Sequence, residues 1–511
     1  MPLSFCKVDD AVTKSGEQGL HDLDHARLNI RVLVDRYRAR KWQASVIDEL
    51  RAQGHGIEVV INPEGCALPA AIALLLTLER LVYGGRETQF GGFWSIQEVT
   101  EASKRDPDLL IDFTASERPQ TSLRTLRTLY TSSVMEEAAY KDLLNNRSPV
   151  LGLSDSNAAA TPKIFRIAVE DPFKIGAAMD YIGARLKRFV VDAVDQIAKG
   201  MVVAGAEKLT PSPFVGWSNR QAIAALTDRA RGILTRLTMK PPHWYVGWRM
   251  TNADAISQTL QIPVGGWTRL PDDGRRYFAD PFAVFRDGRH WLFVEEFPFA
   301  TGKGILSAVE IGPNGPIGTP RPALELAHHL SYPFVFEHDG QMWMVPESCS
   351  AKRVELYKAV EFPWRWELVQ ILIDNEEVSD ATIVAHGGAF WMFGTVSGSW
   401  QSSWDTLKIW TAENLFGPWT PSGQMPALID AQGARPAGAF FKRDGNLWRP
   451  AQDCTTGYGA GLVLARVDQL DPLGFSQTTQ AVLHPNAQWP GIGIHTLNFA
   501  AGLEVVDGCK A

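Results

Sequence analysis

The strongest constraint on how this chain can fold is an internal repeat in its second half. The segment Phe278-Ala-Asp-Pro-Phe-Ala-Val-Phe-Arg-Asp-Gly-Arg-His-Trp-Leu-Phe-Val-Glu295 aligns without a gap on Leu330 to Glu347, and Val378 to Thr395 is a third copy. A fourth copy, Ala434 to Trp448, carries two extra residues before its turn, and a weaker fifth begins at Ile494. Each copy reads as a strand, an Asp-Gly or Gly-Gly turn of the kind that closes two-residue hairpins, and a second strand. Equivalent residues Asp280, Tyr332, Asp380, Arg435 and His495 are 52, 48, 55 and 60 residues apart. That is the length of four-stranded blades set around an axis, so residues 243–511 are expected to form an all-β five-bladed propeller. The tryptophan at each hairpin (Trp291, Trp343, Trp391, Trp448) recurs in place and reads as core packing.

The first half has a different period and a different charge. Residues 1–250 carry 32 basic and 29 acidic side chains and residues 251–511 carry 18 and 28, while twelve of the 17 tryptophans fall in the second part. After a polar leader (1–27), the apolar run Leu28 to Val34 ends on Asp35. A helical stretch from Trp42 to Gln53 and a strand from Ile57 to Ile61 follow, which is a β-α-β pattern. Asp106 to Asp112 is a third buried strand ending on an acid. Residues 28–185 are therefore expected to form an α/β domain with an open, mostly parallel, Rossmann-like sheet, joined by a helical connector (186–242) to the propeller. No G-x-G-x-x-G follows the first strand, so a dinucleotide site lacks its phosphate turn. The basic run Arg36, Arg38, Arg40 and Lys41 reads as a solvated helix start that a phosphate or sugar-nucleotide could meet.

Composition excludes several functions. Fifty Lys+Arg against 57 Asp+Glu in 511 residues gives a net charge of −7 without a basic arm, which argues against nucleic acid as a partner. Five cysteines are widely spaced with no C-x-x-C pair, as expected of free thiols in a reducing compartment. The run Ala67 to Leu78 is too short to span a bilayer and reads as a core helix. With acids where a signal peptide needs bases, the chain is expected to be cytoplasmic and without a transmembrane segment.

In a propeller, equivalent repeat positions form rings around the axis. The first ring would be Asp280, Tyr332, Asp380, Arg435 and His495; a second, fifteen residues on, would hold Glu295, Glu347, Thr395 and Gln452. Breaking a glycosidic bond requires an acid for the leaving oxygen and a base for the nucleophile, roles that paired carboxylates fill. Asp280, Glu347 and Asp380 are the candidate catalytic residues, and Glu295, Tyr332, Arg435 and His495 the candidate substrate-binding residues. Turn chemistry at the Asp-Pro and Ser-Asp steps and a structural Glu347–Arg435 ion pair are the competing explanations.

The motifs Tyr277-Phe-Ala-Asp-Pro-Phe, Ser331-Tyr-Pro-Phe-Val-Phe-Glu, Pro346-Glu-Ser, Ser379-Asp-Ala-Thr, Phe416-Gly-Pro-Trp, Ala434-Arg-Pro-Ala-Gly and Arg449-Pro-Ala-Gln-Asp453 resemble the N-terminal domain of plant glucosamine inositolphosphorylceramide transferase and its bacterial relatives, over about residues 240–511. That domain is similar to the five-bladed propellers of arabinanase and β-xylosidase glycosidases. The resemblance implies Asp280 as base with a second Asp and a Glu completing an acidic triad, and a carbohydrate-active protein that hydrolyses or transfers a glycosyl group on a glycan, glycoconjugate or sugar-nucleotide. A non-catalytic glycan-binding or scaffold protein in polysaccharide assembly is the alternative. The resemblance implies that the transferase chemistry of the plant protein belongs to a separate C-terminal domain, which this sequence is expected to lack, so glycosyl transfer is not inherited from the resemblance. No required cofactor is implied and no catalytic metal, but such propellers can hold a structural calcium ion at the axis near a His, here His495. The preceding domain resembles the formyltransferase N-terminal fold, yet no histidine lies between His55 and His243 to serve that chemistry.

Overall fold

The computed structural model describes residues 26–63, 67–83, 89–95, 106–116, 122–131, 133–158, 161–171, 174–205, 224, 227, 243–251, 254–398, 401–423, 425–487 and 489–510. The five repeats fold into five antiparallel blades. Their innermost strands are Arg276–Arg286, Ser331–His338, Val378–His386, Gln432–Pro436 and Leu497–Ala500. The fifth blade is built from both ends of the domain. Leu497–Ala500 and Leu503–Lys510 pair with each other, and His243–Met250 then pairs with Leu503–Lys510 along its whole length, from Leu503 opposite Met250 to Lys510 opposite His243. Closing the ring with strands from opposite ends removes two free sheet edges and ties the chain's last strand to the start of the propeller.

Turn chemistry sets the register. Asp287-Gly288, Asp339-Gly340, Gly387-Gly388 and Asp444-Gly445 all have positive φ at both residues, and so does Ala501-Gly502 of the fifth blade. Two positive φ values define the type I′ turn, whose twist matches that of the flanking strands. The hairpin tryptophans are packed as expected. Trp343 and Trp391 are buried and donate their indole N–H to the carbonyls of His338 and His386, and Trp448 is buried, while Trp291 is only half-buried.

The N-terminal unit corrects part of the expectation. Strands β1 (Asn29–Asp35), β2 (Gly56–Asn62), β3 (Leu109–Asp112), β4 (Thr125–Tyr130), β5 (Val150–Asp155) and β6 (Lys163–Arg166) form one sheet in the order β2-β1-β3-β4-β5-β6. Pairing is parallel from β2 to β4 and antiparallel from β4 to β6, so the sheet is mixed rather than an open parallel one. The alternation of buried and half-buried residues in β4 marks where the parallel part ends, because a strand buried on both faces would be apolar throughout.

Helix α1 (Lys41–Ala52) buries Trp42, Val46, Ile47 and Leu50 in the core shared with the long helix Ile175–Ala198. The helix Ala70–Tyr83 is not a core helix. It buries Ile72 and Leu75 but leaves Leu74, Leu78 and Leu81 exposed. The basic run is a solvated helix start only in part: Arg36 and Lys41 are exposed, whereas Arg38 and Arg40 are buried against Glu137 and Glu136. Cys349, Cys454 and Cys509 are free, whereas Cys6 and Cys66 lie outside the described residues, as does the 206–242 part of the expected helical connector apart from Ala224 and Thr227. Among the described residues no helix is long and apolar enough to cross a membrane.

Candidate active site at the propeller mouth

One backbone device carries the first ring. Asp280, Tyr332 and Asp380 have φ of 48°, 44° and 55°, the left-handed region that side chains other than glycine rarely occupy. Each sits where the pairing of its strand with the next slips, between Phe293 and Glu295, between Ser331 and Phe334, and between Ser379 and Thr382. Such a bulge turns one side chain out of the pleat. Here it turns three equivalent residues toward the axis, at a strain of roughly 1–3 kcal/mol each.

The side chains meet in one continuous network. Asp280 Oδ2 accepts the Tyr332 N–H at 3.1 Å and Oδ1 accepts the Thr496 hydroxyl at 2.9 Å, with His495 Nε2 at 3.6 Å. Arg435 donates Nε–H to Asp380 Oδ2 at 2.7 Å and reaches Glu347 Oε2 at 3.4 Å. Glu347 Oε2 also accepts the Asp380 N–H at 3.2 Å, and its Oε1 accepts the Cys349 thiol at 3.2 Å. Gln452 donates to Asp380 Oδ2 at 3.0 Å. Tyr332 lies deeper than an open rim. It is fully buried, 2.8 Å from the Thr382 hydroxyl, and its phenol oxygen accepts the Gly438 N–H at 2.7 Å. Thr395 is buried in the second ring, and its hydroxyl has no hydrogen-bond partner among the described residues.

Asp280, Glu295, Glu347, Asp380, Arg435 and His495 are all less than a tenth exposed, so their charges compete for few compensating partners. Burial, and then the nearby Asp280 and Glu347, push the Glu295 carboxyl well above the usual range. Among the described residues the one ion-pair partner of Glu295 is His329, at 3.5 Å, and burial lowers the pKa of that histidine. Burial also raises Asp280, against the pull of His495, and raises Asp380 well above the usual range, against the pull of Arg435. Glu347 goes the other way: burial is the largest single influence and would raise it, but Arg435, the hydrogen bonds of Asp380 and the Cys349 thiol, and His329 together outweigh burial and hold it below the usual range. His495 is raised, since Asp507 and Asp280 together outweigh its burial.

Sequence reasoning missed Asp507, which organises the fifth-blade side. Its carboxylate accepts N–H groups of Asp280 (3.1 Å), His495 (3.0 Å) and Thr496 (2.9 Å) and lies 2.5 Å from His495 Nδ1. It belongs to the second ring, but the fifth hairpin is shorter, so a fifteen-residue count from His495 lands on Lys510 instead. His329, Ser403 and Tyr458 were also missed, because they sit on connections outside the repeat.

Ligand atoms of Asp280, His495 and Asp507 lie within 4.8 Å of one another, which makes them the group to test for the calcium that the resemblance allowed. The donor set does not fit that ion. Calcium takes six to eight oxygens, whereas this group offers an imidazole and two carboxylates whose oxygens already accept backbone, hydroxyl and imidazole protons.

Fold and site together define a five-bladed propeller with a buried, acid-rich axial mouth. Residues 269–500 match the family described as Glucosamine inositolphosphorylceramide transferase 1, N-terminal. Over 249 residues the chain is 34% identical to glucosamine inositolphosphorylceramide transferase 1 of Arabidopsis thaliana, covering 45% of this chain and 32% of that protein. The Oryza sativa subsp. japonica protein of the same name is 33% identical over 252 residues, 45% of this chain and 33% of that one. The chain thus spans about a third of the length of these curated relatives. A solved GH43 β-xylosidase/α-arabinofuranosidase from a compost microbial metagenome is 16% identical, covering 44% of this chain and 83% of that chain at a TM-score of 0.34. The family match begins at residue 269, which leaves the formyltransferase-like reading of residues 28–185 without support.

Proposed function

We propose that the propeller mouth is a carbohydrate-processing site that hydrolyses or transfers a glycosyl group on a glycan or glycoconjugate. The observation that carries this reading is the divergence of neighbouring carboxyls, with Glu295 pushed up and Glu347 held down in one buried ring. Environments that drive two acids apart are how one site supplies a proton donor and an ionised partner at the same pH. In this reading Glu295, whose hold on its proton is strengthened by burial and by the neighbouring carboxylates, delivers that proton to the leaving glycosidic oxygen. Asp280, oriented by the Tyr332 N–H and the Thr496 hydroxyl, removes the proton from the incoming water or acceptor hydroxyl. Asp380 is committed to Arg435 and Gln452, so it positions Arg435 rather than exchanging protons. The name of the matched family adds a glycoconjugate to the candidate substrates.

A glycan-binding role without chemistry is the second reading. It is favoured by Arg435, which already engages two of the three acids expected to be catalytic, Asp380 and Glu347. Incubating the protein with a panel of p-nitrophenyl glycosides and arrayed glycans, followed by product analysis, separates the two readings. Released sugar or transferred glycoside that disappears in Asp280→Asn supports chemistry, while retained glycan without any product supports binding alone.

A further inference from the structure

The N-terminal unit touches the propeller on the loop that also contacts Arg435 of the mouth. Asp405, fully buried on the loop that follows the second strand of blade three, is the centre of this contact. Its Oδ2 accepts the Ala168 N–H at 2.7 Å and the Tyr181 hydroxyl at 3.2 Å, and its Oδ1 accepts Arg185 Nη2–H at 2.6 Å and the Thr406 hydroxyl at 2.6 Å. Three of these four donors come from the N-terminal unit. Three residues earlier the Ser402 hydroxyl donates to Glu170 Oε1 at 2.6 Å, and both Asp405 and Thr406 donate their N–H to the Ser402 carbonyl. A second tie joins Arg166 to the start of blade four, through its carbonyl to the Ala431 N–H (2.6 Å) and its guanidinium to Asp430 (3.4 Å).

Between Ser402 and Asp405 lie the two residues that reach the mouth. Ser403 accepts Arg435 Nη1–H on its carbonyl (3.3 Å) and on its hydroxyl (3.2 Å). The Trp404 ring lies 5.7 Å from that of Tyr458, and the Arg435 guanidinium sits 5.1 Å over Tyr458. Arg435 in turn holds Asp380 and Glu347. Unbroken contacts therefore run from Arg185, Tyr181 and Glu170 through Asp405 and Ser402 to Ser403, Arg435 and the carboxylates.

We infer that the N-terminal unit is a brace for the propeller mouth, in which Arg185, Tyr181 and Glu170 are positioning residues that fix the Ser402–Asp405 rim against Arg435. The inference rests on the mouth being the working site, but the rim's dependence on the brace can be measured without any substrate. A buried carboxylate with four donors has one geometry, so it locks the two rim residues beside it. Without those donors the rim would keep the Ser402–Glu170 hydrogen bond, its own turn and the contacts of Arg435 and Tyr458, but would lose the fixed carboxylate at its centre.

The test uses the full chain with Arg185→Met, Arg185→Lys and the milder Ser402→Ala, the last in case the first does not fold. Hydrogen exchange is followed at the amides of Asp405, Thr406 and Asp430, with the inner strand Arg276–Arg286 as internal reference. The expected result is an exchange rate at least tenfold faster at those three amides in Arg185→Met, partial recovery in Arg185→Lys, a smaller increase in Ser402→Ala and no change in the reference strand. Unchanged rim exchange in a folded Arg185→Met, or in Ser402→Ala if the former does not fold, overturns the brace. The same variants are titrated with xylotriose and N-acetylglucosamine oligomers as probes. If the unmodified protein binds neither probe while the rim loosens as expected, the brace stands and the carbohydrate reading of these sugars falls. If a probe binds the unmodified protein and a variant with a loosened rim equally well, the rim does not serve the mouth and the inference is overturned.

Discussion

Replacing Arg435 with methionine tests whether one cation holds the acidic mouth together. Methionine keeps much of the aliphatic stem and removes the fork that spans Asp380 at 2.7 Å and Glu347 at 3.4 Å. All three groups are less than a tenth exposed, so the two carboxylates cannot regain water when the cation leaves. Removing one partner of a buried ion pair costs about 3–5 kcal/mol. At 1.36 kcal/mol per pKa unit, that equals a rise of roughly two to four units shared between the two acids. For a propeller of this size each kcal/mol moves the melting midpoint by roughly 2–4 °C, so a drop of about 6–20 °C is expected.

The assay is thermal melting followed by tryptophan fluorescence, which reports the propeller because twelve of the 17 tryptophans lie in residues 251–511. The loss should depend on pH with a definite sign. Arg435 holds the folded-state pKa of Glu347 below its ordinary value, so that contribution is present above the unfolded pKa, about 4.3, and fades as pH falls through the folded value. The gap between the unmodified protein and Arg435→Met should therefore be widest near pH 7–8 and narrow toward pH 4. A folded variant that melts within 2 °C of the original at pH 7.5, or a gap that widens on acidification, would refute the reasoning.

Asp280→Asn should lower any glycosyl turnover by roughly 10²–10⁴ while leaving glycan retention nearly intact; full turnover in this variant would move the base to Glu347. The raised pKa of His495 makes a contribution to stability that is complete below the unfolded value, about 6.5, and is lost as pH rises through the folded value. The melting advantage over His495→Gln should accordingly shrink between pH 6 and 9, and a pH-independent difference would count against the Asp507–His495–Asp280 alignment. Gly438→Ala should cost at least about 2 kcal/mol, because φ is +136° and an added Cβ would lie 2.0 Å from the Leu497 carbonyl oxygen. A neutral effect in a urea melt would show that this inter-blade approach is looser than described.

The propeller was legible because its repeat is written in residues whose physics is local. Asp-Gly and Gly-Gly fix the turn by their tolerance of positive φ, and alternating apolar residues fix the buried face. The fourth blade remained readable through its two extra residues, as the tryptophan after the turn kept its place. Closure of the fifth blade by His243–Met250 was not legible, since no periodicity links a strand to a partner more than 250 residues away. Three of the four parallel strands of the N-terminal sheet, β1, β2 and β3, were read from their apolar runs, and β4 was not. The sheet's antiparallel edge escaped because a short helix, Glu137–Leu144, precedes β5, and a helix between strands is the usual mark of a parallel crossover.

The site divides along the same line. Residues projected inward by the bulge were found by counting, because the bulge recurs at Asp280, Tyr332 and Asp380 with the same backbone conformation. The repeat fixes where a side chain points but not which side chain stands there, and this is why acids, a phenol, a guanidinium and an imidazole share one axis. What counting could not supply is the assignment of charge. Glu295 and Glu347 occupy equivalent places yet are driven in opposite directions, and the largest part of the difference is Arg435, which comes from another blade, reaches Glu347 and acts there with the hydrogen bonds of Asp380 and the Cys349 thiol. Arg435 is itself held by Ser403, on a rim loop anchored by the N-terminal unit. The protonation pattern of the mouth is thus set by contacts between blades and between domains, at separations where sequence spacing carries no information.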